Sequence, residues 1–343
     1  SQVGVDILKK GGNAVDAAVA VGFAMAVTYP QAGNLGGGGF MVIHLAKENK
    51  SIAIDYREMA PAAASRDMFL NADGTVNEMS SRFTHKATGV PGTVAGMAHA
   101  LKNYGTMSLQ EVMRPAYDLA LAGFPMYNYL EGSLNARKER MMQNDAAAKV
   151  FYKKDGSSYK YGETFKQKDL AWSLKRIMEG GQKEFYHGEI AERIVADMEA
   201  NGGLITMGDM ANYKAVERPA LVGEYKGHKV VTMPPPSSGG VHLVQIMNML
   251  ENDDLRSKGH NSAATLHLYI EAMRQAYADR SEYLGDPDFT DVPVEELTSK
   301  AYAKIIRNQI PADKARRSTD IGPAFNLITE SPETTHFSVM DKD

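Results

Sequence analysis

The run from Ala14 to Thr28 holds a single charge, Asp16, and is otherwise almost wholly small and apolar. A helix that is hydrophobic on every side has no face to offer water, so other elements must wrap it. The chain is therefore expected to build a core around this helix. Asn13, after Gly11-Gly12, is placed to cap its start, and Pro30 closes its end. Crossing a bilayer takes about 20 apolar residues. This run is too short and too rich in Ala and Gly for that, and no longer one exists, so no membrane span is expected. With 343 residues and 43% hydrophobic content, the chain is long enough to bury a substantial core.

Around that helix the patterns alternate in kind. Val3, Val5, Ile7 and Leu8 mark a preceding amphipathic helix, and β-rich runs at 40–46 and 51–56, parted by the polar stretch 47–50, predict a hairpin. From 91 to 203 the pattern is helical, punctuated at Gly105, Gly123-Phe124-Pro125, Gly180-Gly181 and Gly202-Gly203, with 145–163 expected as a surface excursion. A second hairpin is expected over 222–232, turning at Lys226-Gly227. Helices follow over 241–251 and 263–280, and alternation over 335–339 predicts a strand. The fold class is α+β, hairpins flanked by helices.

Composition removes several function classes. Lys and Arg number 38 against 42 Asp and Glu, a net charge of -4 without a long basic run, which argues against nucleic-acid binding. The cluster Lys314, Arg316, Arg317 is expected to be a solvated helix end. With no cysteine there is no disulfide, thiolate metal site or thiol nucleophile. The nine histidines form no metalloprotease or zinc-deaminase spacing, so no metal or cofactor is called for. The chain starts at Ser1 without a charged-then-apolar leader, as expected if nothing is exported or a leader has been removed.

Gly36-Gly37-Gly38-Gly39 follows a helix and precedes Phe40-Met41, the reverse of a phosphate loop's order and without its lysine. Four residues without Cβ instead predict close approach of another backbone. Asp286 and Asp288, in Gly285-Asp286-Pro287-Asp288, are expected to build a turn rather than an acid–base pair. Arg57 follows the run ending at Tyr56. Its guanidinium could grip a substrate carboxylate at two points or simply pair with Asp55 or Glu58, and spacing leaves both open. Thr334, in Thr334-Thr335-His336-Phe337-Ser338-Val339, becomes chemically meaningful in one circumstance. A threonine hydroxyl needs a base, and its own α-amino group serves if the chain is cut between Glu333 and Thr334.

Gly11 to Ala17, Gly33 to Phe40, Asp55 to Pro61, Pro91 to Gly96, Met233 to Gly240, Tyr277 to Arg280 with Gly285-Asp286-Pro287, and Thr334-Thr335-His336 together resemble, in order and spacing, the bacterial γ-glutamyltranspeptidase family. The resemblance implies an N-terminal-nucleophile hydrolase with an αββα sandwich, made as a precursor that cuts itself before Thr334. It implies residues 1–333 as the large-subunit portion of one domain and 334–343 as the start of the small subunit. Thr334 corresponds to the nucleophile, and Arg57 to the arginine that binds the glutamyl α-carboxylate. The implied reactions are γ-glutamyl transfer and glutathione hydrolysis, with glutathione and other γ-glutamyl compounds as donors and water, amino acids or peptides as acceptors. A periplasmic location and a heterodimer with the small subunit are implied too. The oxyanion-hole glycines, the serines and acidic residue that hold the donor, and a second threonine belong by resemblance to small-subunit sequence after Asp343, so this stretch alone is expected to be inactive. A glutaryl (cephalosporin) acylase of the same fold, and a scaffold half that only binds its partner, are the alternatives.

Overall fold

The computed structural model describes residues 1–322 and 334–342, and the chain divides into two compact units. Of the described residues, the first comprises 1–39, 55–216 and 334–342; the second comprises 40–54 and 217–322.

The expected buried helix organises the first unit. Helix α1 spans Gln2–Lys9 and α2 spans Ala14–Thr28, with ten residues of α2 buried. Asn13 caps α2 in a reciprocal capping box with Asp16. The Asp16 carboxylate is fully buried and accepts from the Asn13 and Met107 N–H groups at 2.8 and 3.0 Å, and from the Thr106 N–H and hydroxyl at 2.9 and 2.6 Å. A buried charge is tolerated when its lone pairs are filled in this way, and the result is that the start of α2 is riveted to the 105–107 turn. Helices α1, Thr93–Tyr104 and Leu109–Ala122 pack on α2, and Lys168–Gly180 packs on Leu109–Ala122.

The stretch expected as a surface excursion is partly structured. It contains the helix Asp145–Phe151, and Tyr152 is buried with its hydroxyl donating to the Leu134 carbonyl at 2.7 Å. A two-stranded ladder, Phe124–Pro125 with Thr164–Phe165, brackets it. Tyrosine reads as polar in a sequence, yet its ring is buried readily once the hydroxyl has a partner.

In the second unit, strands β1 (Phe40–Leu45) and β2 (Lys50–Asp55) join Val216–Pro219 in a three-stranded sheet, with β2 central. The second hairpin pairs Leu221–Tyr225 with His228–Thr232, and Lys226 and Gly227 both adopt positive φ, as a tight two-residue turn requires. Helices Ser238–Leu250, Ala263–Tyr283 and Lys300–Asn308 enclose a core that includes Met249, Leu268, Ala272 and Ile306. Buried Asp279 accepts from Gln245, Gln275 and the Tyr302 hydroxyl.

Two expectations are corrected. Residues 335–339 form no strand, because backbone ladder groups need a neighbouring strand and none pairs with them among the described residues. Arg316 is not at a solvated helix end: its side chain is 10% exposed and donates to buried Glu271 at 2.6 Å.

Candidate active site

Arg57 lies just past β2, and its backbone is held at both polar atoms. Its N–H donates to Asp55 Oδ1 at 3.1 Å, and its carbonyl accepts from the Tyr213 hydroxyl at 2.8 Å. The preceding residue, Tyr56, is buried in a cradle of glycines. A Cβ on Gly38 would stand 2.5 Å from the Tyr56 carbonyl oxygen and 2.9 Å from the Arg57 carbonyl carbon, and one on Gly92 would overlap the same Tyr56 oxygen. The glycine tetrad is thus where two backbones meet, as the sequence suggested. Gly39 and Tyr56 exchange backbone hydrogen bonds at 3.2 and 3.0 Å, and the Gly37 carbonyl accepts from the Gly92 and Thr93 N–H groups.

Tyrosines back this platform. Tyr213 stacks on Tyr186 at 5.6 Å between ring centroids and 6° between planes. The Tyr186 hydroxyl donates to the Pro91 carbonyl at 2.8 Å and accepts from the Ala95 N–H at 3.2 Å. Burial pushes the Tyr56 phenol up to about 12, and raises Tyr186 and Tyr213 as well, so all three stay neutral donors at ordinary pH. Met59 and Val90 exchange two backbone hydrogen bonds, tying down the chain just beyond Arg57. The Arg57 side chain itself is exposed. The platform therefore fixes the backbone from which the Arg57 side chain springs.

Thr334 also belongs to the first unit and is exposed; Glu333, the other half of the expected cleavage site, lies outside the described residues. Residues 335–340, residues of α1 and α2, and Tyr29 and Tyr127 together line a groove of about 640 Å³. Neither Arg57 nor Thr334 lines that groove. Beyond it, Asp341 Oδ2 accepts the Ala14 N–H at 2.7 Å. In the uncut chain the Thr334 nitrogen is an amide, so its hydroxyl gains an amine base only on scission.

Two further motif stretches meet in the second unit: Arg280 Nε donates to Ser238 Oγ at 3.1 Å, and the His242 and Tyr277 rings are 5.0 Å apart. Asp286 builds the expected turn by accepting the Asp288 N–H at 3.0 Å, while Asp288 takes a two-point ion pair from Arg218 at 2.9 and 2.7 Å. No three His, Asp or Glu side chains converge on a metal-sized site, and no helix is long and apolar enough to cross a membrane, among the described residues.

Sequence reasoning anticipated the close backbone approach at the glycine loop but not the tyrosines Tyr56, Tyr186 and Tyr213 that pack and hydrogen-bond around Arg57. The tyrosines gave no local signal, because their partners are far away in the chain.

Comparison with known proteins gives a consistent picture. A family model described as Gamma-glutamyltranspeptidase matches residues 1–343. The glutathione hydrolase proenzyme of Escherichia coli (strain K12) is 54% identical over 343 residues, covering 100% of this chain and 59% of that protein. Acylase ACY 1 proenzyme of Pseudomonas sp. (strain SE83) is 36% identical over 347 residues, covering 99% of this chain and 61% of its own length. The crystal structure of Helicobacter pylori gamma-glutamyltranspeptidase superposes with a TM-score of 0.92 at 47% identity, covering 97% of this chain and 95% of that one. The chain thus spans about 59% of the length of the first curated relatives it matches. Its α+β fold is of the N-terminal-nucleophile hydrolase class that the sequence suggested.

Proposed function

The chain belongs to the gamma-glutamyltranspeptidase family, and on that premise we propose that it carries the large-subunit portion, and the first residues of the small subunit, of a self-cleaving γ-glutamyl transferase and glutathione hydrolase. Residues 1–333 are the large-subunit portion and Thr334 opens the small subunit. In maturation the Thr334 hydroxyl attacks the Glu333 carbonyl and the acyl group moves from nitrogen to oxygen, which frees the α-amine; water then opens the ester, releasing the Glu333 carboxylate and restoring the Thr334 hydroxyl. That amine then serves as base while the same oxygen attacks the γ-carbonyl of glutathione or another γ-glutamyl compound. The cysteinylglycine or other amine leaves, and water or the amine of an amino acid or peptide takes the glutamyl group from the enzyme.

The observation that carries this reading is the clamped backbone of Arg57. A γ-glutamyl donor bears its α-carboxylate several bonds from the carbonyl that reacts. Gripping the distant end from a fixed root lets binding energy set the position of the reacting end. The chain works as half of a heterodimer, and the mature protein is periplasmic.

The test is Thr334→Ala in the full-length polypeptide, which is expected to stay a single band on a denaturing gel and release no γ-glutamyl product; two subunits would refute the nucleophile assignment. The 36% identity to an acylase proenzyme supports a second reading, a glutaryl acylase. Comparing γ-glutamyl and glutaryl anilides separates them. The transferase requires the γ-glutamyl anilide to turn over much faster, and equal rates defeat it.

A further inference from the structure

We infer that Asp209 is a positioning residue for Arg57, acting through the loop that follows it; the inference rests on Arg57 being the residue that grips the donor's α-carboxylate. Asp209 lies on the short helix Met207–Asn212, whose start is capped reciprocally by Thr206. Its two carboxylate oxygens are divided between two tasks. Oδ2 serves the cap, accepting the Thr206 N–H at 2.9 Å and the Thr206 hydroxyl at 2.6 Å. Oδ1 accepts the Ala62 N–H at 2.8 Å, across 147 residues of sequence. A cap needs only the first set of bonds. The second ties the helix to the loop that leaves Arg57.

The same helix reaches that loop again from its other end. Tyr213, the residue directly after it, donates its hydroxyl to the Arg57 carbonyl at 2.8 Å. Between these two holds, Met59 and Val90 exchange backbone hydrogen bonds at 3.2 and 2.7 Å. A backbone pairing in the middle fixes a point and leaves rotation about it, whereas holds on both sides of Met59 fix the orientation as well. Orientation matters here, because a planar guanidinium meets a carboxylate at two points only when their planes agree, and a recognition site works within about 10–20° of its productive geometry. A carboxylate suits the task. Its bonds to backbone N–H groups are charge-assisted, and its two oxygens let one side chain serve cap and loop together.

The experiment uses the full-length, self-cleaved enzyme and breaks the Asp209–Ala62 bond from its two ends. Asp209→Ala deletes the acceptor. Ala62→Pro deletes the donor: Ala62 is the second residue of a turn closed by the Ala64 N–H on the Pro61 carbonyl at 2.9 Å, a position that proline favours. Thr206→Ala is the control, since it weakens the cap and leaves the Ala62 bond in place. Self-cleavage into two subunits reports that each variant has folded. In Asp209→Ala and Ala62→Pro, KM for a γ-glutamyl anilide is expected to rise roughly fivefold with kcat within about twofold of wild type, the pattern of binding lost equally from ground and transition states. Their preference for an α-carboxylate over an α-amide should shrink as well, and the double variant should show no more than the larger single effect. Thr206→Ala should lower the thermal midpoint, as Asp209→Ala does, but keep the wild-type KM. Wild-type KM in either bond-breaking variant, effects that multiply in the double variant, or an equal KM rise in Thr206→Ala would overturn the proposal. Arg57→Lys separates this from the reading beneath it. If that variant keeps the wild-type preference for carboxylate over amide, Arg57 does not grip the donor and the proposal falls with that reading; if it loses the preference while Asp209→Ala and Ala62→Pro keep it, the proposal alone fails.

Discussion

The Tyr213 hydroxyl donates to the carbonyl oxygen of Arg57 at 2.8 Å, joining positions 156 residues apart. Tyr213→Phe keeps the ring and its stacking on Tyr186 but deletes this donor. We expect a stability loss of about 1 kcal/mol, typical of one hydrogen bond, and a severalfold rise in KM for a γ-glutamyl donor with kcat little changed. Urea unfolding and steady-state kinetics on the full-length enzyme check this; a stability loss without any change in KM would uncouple Tyr213 from donor binding.

Arg57→Lys keeps the charge but loses the planar fork that meets a carboxylate at two points. KM for the γ-glutamyl donor is expected to rise at least tenfold, and the variant should lose its preference for the α-carboxylate over an α-amide. An unchanged preference would assign that carboxylate to another residue.

Gly92→Ala puts a Cβ into the Tyr56 carbonyl and the Tyr213 hydroxyl. Overpacking of this kind costs about 1–3 kcal/mol, and backbone on the receiving side sets the upper end. Gly132→Ala is the control: it lies in the helix Asn128–Met141 with nothing within 4 Å of the added atom, and should stabilise by about 0.5–1 kcal/mol. Chemical denaturation of the two variants side by side gives opposite shifts if the crowding at Gly92 is real.

The two hydrogen bonds from Arg307, at 2.7 and 2.8 Å, hold the Asp253 carboxyl below its ordinary range. Its folded pKa is depressed, so the stabilisation is present above the unfolded value of about 3.9 and is lost as pH falls through the folded value. Asp253→Asn should destabilise by about 2 kcal/mol near pH 7. The gap between wild type and variant should close below about pH 4, a trend that urea midpoints at pH 7 and 3 measure.

At the other end of the scale, burial raises the Tyr56 phenol to about 12. An unfolded tyrosine ionises near about 10, so stability is complete below that pH and declines as pH climbs from there through the folded value. Tyr56→Phe removes the proton and should flatten this alkaline decline. A variant with the wild-type slope would show that Tyr56 ionises without opening the fold.

How much of this was readable depends on how local each signal is. Helix α2 was found to the residue, since an all-round apolar run with Asn13 ahead and Pro30 behind leaves one choice of bounds. The hairpin turning at Lys226-Gly227 was equally local. Residues 335–339 alternate as a strand should, but alternation states which side chains share a face and not whether a partner strand is there. Arg316 was misjudged because Glu271 lies 45 positions away, out of reach of any reading of charge runs. The platform under Arg57 was half visible: the glycines announced a close approach, while the backbone they admit was known only once Tyr56 was seen against them.

The bond between Tyr213 and Arg57 also sets a timetable for biogenesis. A nascent chain emerges from its amino end, and the arginine is translated long before the phenol that steadies it. Contacts of such wide separation form only after the intervening loops have closed. The last of the holds on the Arg57 backbone therefore forms only when the helical tract has folded back upon it, a late event in the folding of this unit.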